Sequence, residues 1–254
     1  ELLLDGDEHG WRDELDLDGA AGHMDASLDG MRLAVETGKA GFDLRHGKSF
    51  WEALNDEPQR GARFDAHLDG WVGEWSPAVI ADPVWRSARH VVDVGGGSGA
   101  FSARLLDAHP HLTATVIELP ETASRATAHF DEVDLAARAD AVGQSFFDAL
   151  PTTGDTYVLA QVLHDWPDDE ARSILRQVAD AVGPDGRVVI IERLDDEGDD
   201  ADHHAHMSLL MLTLFGSRER TVAEYTALLA DVGLRVGDVR AASTLGLIVA
   251  TPSP

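Results

Sequence analysis

The sequence has no cysteine, few lysines and no long apolar run. The lack of cysteine excludes disulfide bonds, zinc–thiolate sites and cysteine nucleophiles, and it fits a reducing compartment such as the cytoplasm. No run of about 18 apolar residues occurs, so we predict no membrane span. No charged segment followed by an apolar one opens the chain, so we predict no secretory leader either.

Positive charge is also scarce. Twenty lysines and arginines face 46 aspartates and glutamates, which gives a formal net charge of −26, and only Lys39 and Lys48 are lysines. Such a surface repels phosphate backbones and anionic membranes, which argues against nucleic-acid and membrane partners. With 254 residues and 44% hydrophobic content, the chain has the composition of one large or two small globular domains.

One stretch has the pattern of a nucleotide-type cofactor site. Val91–Val94 is a short apolar run typical of a buried strand, Gly95–Gly99 is a glycine-rich turn, and Phe101–Ala108 has helical apolar spacing. Glycines let the backbone approach a ligand, and the following helix N-terminus offers unpaired N–H groups. The turn fits the dinucleotide fingerprint G-x-G-x-x-G/A and also Asp-x-Gly-x-Gly, the first motif of S-adenosylmethionine-dependent methyltransferases. This stretch alone leaves the cofactor open.

The chain divides into two parts with different patterns. Residues 1–89 carry five of the six tryptophans and helix-like apolar spacing interrupted by glycines, so we predict a helical segment here. In residues 90–254 strand and helix patterns alternate, which predicts an α/β domain with a doubly wound, mostly parallel sheet. The predicted strands are His90–Val94, Thr113–Ile117, Ala139–Val142, Thr156–Ala160, Arg187–Ile191, Arg235–Arg240 and Leu245–Ala250. The last two are close enough in sequence to form an antiparallel pair.

Polar residues follow several of these strands. Ligands of doubly wound sheets bind at the carboxyl ends of the strands, where Glu118, Ser145, His164 and Glu192 fall together with the glycine turn. A carboxylate at Glu118 can accept both ribose hydroxyls of a nucleoside, although an ordinary loop acid is the alternative. A neutral imidazole at His164 can take a proton from a substrate hydroxyl, although a capping or loop-filling histidine is the alternative.

The segment after the fifth strand offers further candidates. His203, His204 and His206 follow an acidic run and have the residue types of a metal site. Their spacing lacks a helical pair, and we interpret Asp195–Asp202 as a solvated loop, so no metal is predicted. The helix predicted at Met207–Phe215 is apolar core, or it contacts a flat aromatic substrate.

Two features lie near Thr221. Thr221 with Glu224 forms the sequence pattern of a capping box that opens another helix. Glu219, just before it, is by itself interpreted as a surface acid that pairs with an arginine.

The order of these motifs resembles one family. Asp93–Gly99, Glu118–Pro120, Gly143–Phe147, Leu163–Trp166, Ile191-Glu192 and Glu219–Thr221 occur in this order. Together they resemble the small-molecule O-methyltransferases of the plant caffeate and flavonoid type, and most of all their bacterial relatives in antibiotic biosynthesis. The resemblance covers roughly residues 2–250.

The resemblance implies a class I methyltransferase sheet whose last strand is antiparallel, with S-adenosylmethionine as cofactor and S-adenosylhomocysteine as product. It implies His164 as general base, with Glu192 and Glu219 positioning its ring. The cofactor residues that it implies are Asp93, Gly95, Gly97, Glu118, Leu119, Ser145, Phe146 and Gln161. The aromatic acceptor is expected to contact Trp51, Met207, Met211 and Phe215. Within the cofactor set, Glu118 is expected to hold the ribose.

The chain departs from the family pattern in three places. Many relatives have Asp where this chain has Ser145, and the plant enzymes carry a basic residue where Ala160 stands. Relatives also carry a winged-helix dimerisation domain of about a hundred residues before the part that matches Leu2–Leu4. The sequence lacks it, so we interpret the chain as a fragment of a longer protein, or as a chain whose first part is absent from this sequence. The family implies a homodimer, and the lack of that domain leaves this expectation open.

We therefore predict an O-methyltransferase that acts on a phenolic hydroxyl of an aromatic natural product. Three alternatives remain at this point. They are an NAD-dependent dehydrogenase that uses the same turn, a relative that uses bound S-adenosylmethionine for decarboxylation or hydroxylation, and a non-catalytic partner of another methyltransferase. The sequence lacks the Tyr-x-x-x-Lys proton relay that the dehydrogenase hypothesis would need, because both lysines precede the glycine turn.

Overall fold

The fold is a mixed α/β structure. The computed structural model describes residue 16, residues 19–194 and residues 201–254, without the side chains of residues 201–204. The α-helices are α1 (Ala20–Ala26), α2 (Met31–Thr37), α3 (Gly41–His46), α4 (Phe50–Asn55), α5 (Pro58–Ile80), α6 (Ala100–Ala108), α7 (Pro120–Glu132), α8 (Asp168–Ala181), α9 (Ala201–Phe215) and α10 (Val222–Asp231). Short 3₁₀ turns occupy Ser27–Gly30, Pro83–Ser87 and Leu163–Asp165.

Seven strands form one sheet. They are β1 (His90–Val94), β2 (Thr113–Glu118), β3 (Ala139–Gly143), β4 (Thr156–Ala160), β5 (Arg187–Glu192), β6 (Leu234–Ala242) and β7 (Leu245–Pro252), in the order β3-β2-β1-β4-β5-β7-β6. The first five pair in parallel, and β7 is antiparallel to both β5 and β6. The predicted α/β sheet and its antiparallel last strand are thus confirmed. Because β1 lies between β2 and β4, the strand order reverses beside the glycine turn, where such sheets bind ligands.

Both faces of the sheet are buried. Val91 and Val158 lie in a large apolar core together with Trp75 from the end of α5. Tyr157, the neighbour of Val158, points to the opposite face, as successive strand residues do. Its hydroxyl donates to the carbonyl of Ala181, 3.2 Å away, which places the end of α8 over this second face. A parallel sheet needs such cover on both sides.

Local signals place the ends of several helices. Pro120 opens α7 and Glu121 lies in its first turn, where an acidic side chain suits the positive end of the helix dipole. The predicted capping box of α10 is confirmed: the Thr221 hydroxyl accepts from the Glu224 N–H at 3.2 Å, and the Glu224 carboxylate accepts from the Thr221 N–H at 2.9 Å. One prediction is wrong: the helix begins at Ala201, not at Met207, so residues 201 and 202 are helical and not part of a loop.

Contacts divide the chain into two compact units. The first comprises Glu1–Gly70, Asp165–Pro167 and Glu197–Glu219, and the second comprises Trp71–His164, Asp168–Asp196 and Arg220–Pro254. This division differs from the predicted boundary after residue 89. The physical reason is that Trp75, Val79 and Trp85 pack in the apolar core of the sheet and belong with it. No strand occurs in the described part of residues 16–89, as predicted.

None of the helices in the described ranges is both long and apolar enough to cross a lipid bilayer.

Gly99 offers a test of how tightly α6 is packed. It has φ 81°, and a Cβ there would lie 2.5 Å from Cζ of Phe130, a buried core ring. We expect Gly99→Ala to lower the free energy of unfolding by roughly 2–4 kcal/mol, since overpacking and a left-handed alanine each cost about 1–3 kcal/mol. Urea denaturation measures the change. Gly233→Ala is the control, because Gly233 has φ 79° with nothing within 4 Å of its Cβ position. Equal losses in the two variants would contradict the packing argument.

Candidate active site

The glycine turn joins β1 to α6 with a backbone that only glycine adopts easily. Gly95, Gly97 and Gly99 have φ values of 74°, 58° and 81°. A Cβ on Gly95 would lie 2.9 Å from Cγ2 of Val162 and 3.5 Å from Cε1 of Phe146. The turn therefore contacts both the loop after β3 and the loop after β4. A Cβ on Gly97 would meet nothing within 4 Å, so open space adjoins this part of the turn.

Glu118 is held by the backbone at the end of β2. Its Oε1 accepts from the N–H of Gly97 at 3.2 Å, and its Oε2 accepts from the N–H of Leu119 at 2.8 Å. A carboxylate can accept about four hydrogen bonds, so these two do not by themselves fill the group. The side chain is half-buried, and Leu119 beside it is an exposed apolar residue. This arrangement fits the ribose of a nucleoside with an apolar contact next to it.

Asp93 lies beneath the turn as a buried carboxyl group. Its Oδ2 accepts from the hydroxyl of Ser102 at 2.7 Å, and its Oδ1 is buried with no hydrogen-bond partner among the described residues. A Cβ on Gly96 would lie 2.6 Å from Cγ of Asp93, so only glycine fits above it. Burial raises the pKa of Asp93 from 3.8 to about 6, although the Ser102 hydrogen bond opposes this shift.

This raised pKa predicts a pH-dependent stability. Between pH 4 and pH 6 the folded chain binds the Asp93 proton more tightly than the unfolded chain, so stability decreases as pH rises through that window. The loss is of order 3 kcal/mol for a shift from 3.8 to about 6. We expect Asp93→Asn to remove this dependence, so that the variant gains about 3 kcal/mol relative to wild type between pH 4 and pH 7. Urea denaturation of both proteins across this range tests it, and a pH-independent difference would contradict it.

The loop after β3 provides an aromatic surface. The Ser145 hydroxyl accepts from the N–H of Phe147 at 3.2 Å, and the rings of Phe146 and Phe147 lie 5.2 Å apart at a tilt. Phe146 is the ring that approaches Gly95. Ser145 and Phe146 therefore lie at the same rim as the glycine turn, where the family resemblance places cofactor residues. Their contact with a cofactor stays a prediction.

Glu192 is the centre of a buried hydrogen-bond network at the end of β5. Its Oε1 accepts from the N–H groups of Val162 at 3.1 Å and Leu163 at 2.8 Å. Its Oε2 accepts from the side-chain amide of Gln161 at 3.1 Å and lies 3.7 Å from Nδ1 of His164. Glu192 is fully buried and His164 is 7% exposed. The structure thus brings these predicted residues together in one unit.

The network fits a charged Glu192. A buried carboxylate is costly unless donors surround it, and here three N–H groups point to it. The 3.7 Å separation from His164 is too long for a hydrogen bond but suits an ion pair once the imidazole gains a proton. Such a pair stabilises the imidazolium that a general base becomes.

Arg220 is a site residue that the sequence did not single out. It is 1% exposed, and its guanidinium donates to the carbonyl of Leu163 at 2.7 Å and to Asp168 Oδ1 at 2.8 and 3.0 Å. Its guanidinium carbon also lies 5.9 Å from the centroid of the Tyr225 ring. Arg220 therefore ties the loop that carries His164 to the start of α8. The only sequence signal was its place within the Glu219–Thr221 motif.

Glu219 belongs to the first unit. It is 1% exposed, which does not fit the alternative of a solvated surface acid. In the chain it directly precedes Arg220, which binds the residue before His164. A positioning role toward His164 stays a prediction.

The predicted acceptor residues lie in the first unit. The rings of Trp51 and Phe215 stack with centroids 5.2 Å apart, and Phe50 meets Phe215 edge-on at 5.6 Å. Met211 is buried and Met207 half-buried on α9, the helix that ends at Phe215. The Trp51 Nε1 is buried and has no hydrogen-bond partner among the described residues.

The histidines considered as a metal site lie largely outside the described part of the chain. Residues 195–200 and the side chains of His203 and His204 are not described, whereas His206 is exposed on α9.

Comparison with known proteins decides the family. The profile of the O-methyltransferase domain matches residues 30–235. The chain belongs to this O-methyltransferase domain family. The resemblance predicted from the motifs is thereby confirmed, and the dehydrogenase alternative is set aside.

Several similar proteins belong to bacterial natural-product biosynthesis. The 2,7-dihydroxy-5-methyl-1-naphthoate 7-O-methyltransferase of Streptomyces carzinostaticus is 39% identical over 99% of this chain and 75% of its own length. The aclacinomycin 10-hydroxylase RdmB of Streptomyces purpurascens is 37% identical over 97% of this chain and 66% of its own length. The chain thus spans two thirds to three quarters of these relatives.

A solved structure shows the same fold with ligands. The O-methyltransferase from neocarzinostatin biosynthesis, crystallised with S-adenosylmethionine and 2-hydroxy-5-methyl naphthoic acid, has a TM-score of 0.93 and 38% identity, covering 99% of this chain and 75% of that one. The same protein was also crystallised with S-adenosyl-L-homocysteine and 1,4-dihydroxy-2-naphthoic acid. The O-methyltransferase domain family thus includes relatives that bind both a methyl donor and an aromatic acid.

Proposed function

We propose that this chain is an S-adenosylmethionine-dependent O-methyltransferase of a phenolic hydroxyl, with His164 as general base. The observation that carries the proposal is the position of the His164 loop. Val162 of this loop adjoins Gly95 of the glycine turn, while His164 faces the buried carboxylate of Glu192. A proton acceptor therefore lies on the same short loop that contacts the cofactor turn.

The glycine turn fits S-adenosylmethionine. We propose that Gly95 and Gly97 approach its amino-acid part with support from Asp93, because the turn has open space at Gly97. The Glu118 carboxylate, already oriented by two N–H groups, accepts the ribose hydroxyls. Leu119, Ser145 and Phe146 then contact the adenine.

The residues of the chain supply orientation and proton removal. Bound S-adenosylmethionine supplies an electrophilic methyl group. His164 takes the proton of the acceptor hydroxyl as its oxygen bonds to that methyl group, and the carbon–sulfur bond electrons remain on sulfur. Glu192 stabilises the imidazolium, and Glu219 helps to orient the ring.

The acceptor is proposed to be an aromatic natural product. The name of the naphthoate 7-O-methyltransferase and the solved structure with a bound naphthoic acid support this class. We propose that Trp51, Met207, Met211 and Phe215 pack against its rings, and that residues 1–89 contribute to acceptor binding and to dimer contacts. A stacked aromatic pair and flexible methionines suit a flat apolar ligand.

Hydroxylation is the second candidate, because one similar relative is a hydroxylase. Purified chain is titrated calorimetrically with S-adenosylmethionine, S-adenosylhomocysteine and NAD, and then incubated with S-adenosylmethionine and a panel of naphthols and hydroxynaphthoic acids. We expect the two sulfur compounds but not NAD to bind, and the product to gain one CH₂ unit with release of S-adenosylhomocysteine. A product that gains one oxygen atom, or binding of NAD alone, would overturn the proposal.

The proposal also covers the cellular location and the oligomeric state. We propose a cytoplasmic enzyme, on the basis of its cysteine-free sequence and its relatives in biosynthesis. We also propose a homodimer, as the family resemblance implies. Light scattering after size-exclusion chromatography gives the molecular mass, and a value of 27.3 kDa would contradict the dimer for this chain.

A further inference from the structure

Gln161 combines an unusual backbone with an unexpected side-chain contact. Its φ is 55°, a left-handed value that costs free energy for a residue with a Cβ. Such conformations persist where the surrounding structure holds them, often at functional sites. The residue directly follows β4 and precedes the loop of His164.

The backbone of Gln161 directs the groups that follow it. The chain turns after β4, and the next two N–H groups, those of Val162 and Leu163, converge on Oε1 of Glu192 at 3.1 and 2.8 Å. Consecutive N–H groups near a left-handed residue commonly form such an anion-binding concavity. The backbone turn thus holds one of the two carboxylate oxygens.

The side chain of Gln161 holds the other oxygen. Its amide donates to Oε2 of Glu192 at 3.1 Å, and the same Oε2 lies 3.7 Å from Nδ1 of His164. Because a carboxylate only accepts hydrogen bonds, the contact requires the NH₂ group of the amide and not its oxygen. The amide of Gln161 therefore binds the carboxylate oxygen that lies opposite the imidazole.

We propose that Gln161 is a positioning residue for His164, with its left-handed backbone fixing one oxygen of Glu192 and its amide fixing the oxygen that faces the imidazole. This proposal rests on the proposed function and replaces the cofactor contact that the sequence predicted for Gln161. Without the amide, Oε2 loses a donor, and the carboxylate stays beside Nδ1 with a less fixed orientation. The orientation of the imidazole is then less fixed, and the negative charge on Oε2 is no longer stabilised by the amide.

The test distinguishes the role of the Gln161 side-chain amide from that of its left-handed backbone. Gln161→Gly deletes the amide and keeps the positive φ, whereas Gln161→Glu keeps the shape and places a second carboxylate against Glu192. Asp134→Gly is the matched control, because Asp134 has φ 58° in the exposed turn that follows α7. This control relieves the same kind of backbone strain without touching the network.

We expect a rate effect without a binding effect. Gln161→Gly should lower kcat roughly 10-fold, as losses of supporting hydrogen bonds commonly do, with KM and the affinity for S-adenosylmethionine unchanged. The acid limb of the pH–rate profile should move to higher pH, further for Gln161→Glu, because Oε2 then favours the imidazolium more. A wild-type kcat, or an acid limb that does not move upward, overturns the proposal.

A readout without turnover separates this proposal from the proposed function. The ¹⁵N NMR signals of His164, assigned by their loss in His164→Asn, report the tautomer and its titration. They should change in Gln161→Gly and stay as in wild type in Asp134→Gly. If they change while wild type methylates no acceptor, the proposed function fails and the positioning role stands. If they do not change, the positioning role fails even for an active methyltransferase.

Discussion

Replacing His164 with alanine is expected to lower kcat for methyl transfer by roughly 10²- to 10⁴-fold, the usual contribution of a general base. The imidazole is nearly buried and lies 3.7 Å from the carboxylate of Glu192, so its loss removes the proposed proton acceptor from the buried network. The glycine turn keeps its own hydrogen bonds. We therefore expect the calorimetric affinity for S-adenosylmethionine to stay close to that of wild type.

The control for this variant is another histidine outside the network. His129→Ala removes a half-buried imidazole from α7 and should leave kcat unchanged. Glu192→Gln should lower kcat by about 10- to 100-fold, because the amide keeps the shape but cannot stabilise the imidazolium. Full turnover by His164→Ala would exclude it as the base. Loss of cofactor binding together with turnover would show that the imidazole supports the fold of the loop instead.

The second large effect is expected at Glu118. Glu118→Ala removes the proposed acceptor of both ribose hydroxyls, and hydrogen bonds to a charged group contribute about 1.5–3 kcal/mol each. The dissociation constants of S-adenosylmethionine and S-adenosylhomocysteine should therefore rise by roughly 100-fold or more. The N–H groups of Gly97 and Leu119 also lose their acceptor, which loosens the turn. Isothermal titration calorimetry measures the change for both compounds.

Two variants sharpen the result for Glu118. Glu118→Gln keeps the shape and one acceptor, so its loss of affinity should lie between those of wild type and Glu118→Ala. Glu121→Ala removes an exposed acidic side chain from the first turn of α7, only three residues further along, and should bind as wild type does. Unchanged binding by Glu118→Ala, in a variant whose thermal unfolding matches wild type, would contradict the ribose role.

The strands and the glycine turn were predictable because their sequence signals are local. A run such as Val91–Val94 is short, apolar and β-branched, and the glycines after it mark a turn with positive φ. Proline and capping residues likewise mark the first turns of α7 and α10. The start of α9 was not predictable in the same way, since its first turn, from Ala201, is polar and lacks the apolar pattern.

The division of the chain could not be predicted from local pattern. Residues such as Trp75 and Val79 share the helical spacing of the segment before them, yet they pack in the core of the sheet. Apolar spacing shows that a helix has a face to bury, but it does not show against which element. Only long-range packing assigns residues 71–89 to the second unit.

The sequence by itself determined the sheet, the glycine turn, the family and the residue types at the rim, because each depends on local patterning or on motifs in a fixed order. The tertiary structure decided which of these residues contact one another. The parallel pairing of β4 with β5, Ala160 opposite Ile191, brings Gln161 and the next two N–H groups onto Glu192. The burial that raises the pKa of Asp93 is likewise a product of packing. Contacts between residues 30 positions apart depend on the whole fold, which local pattern does not contain.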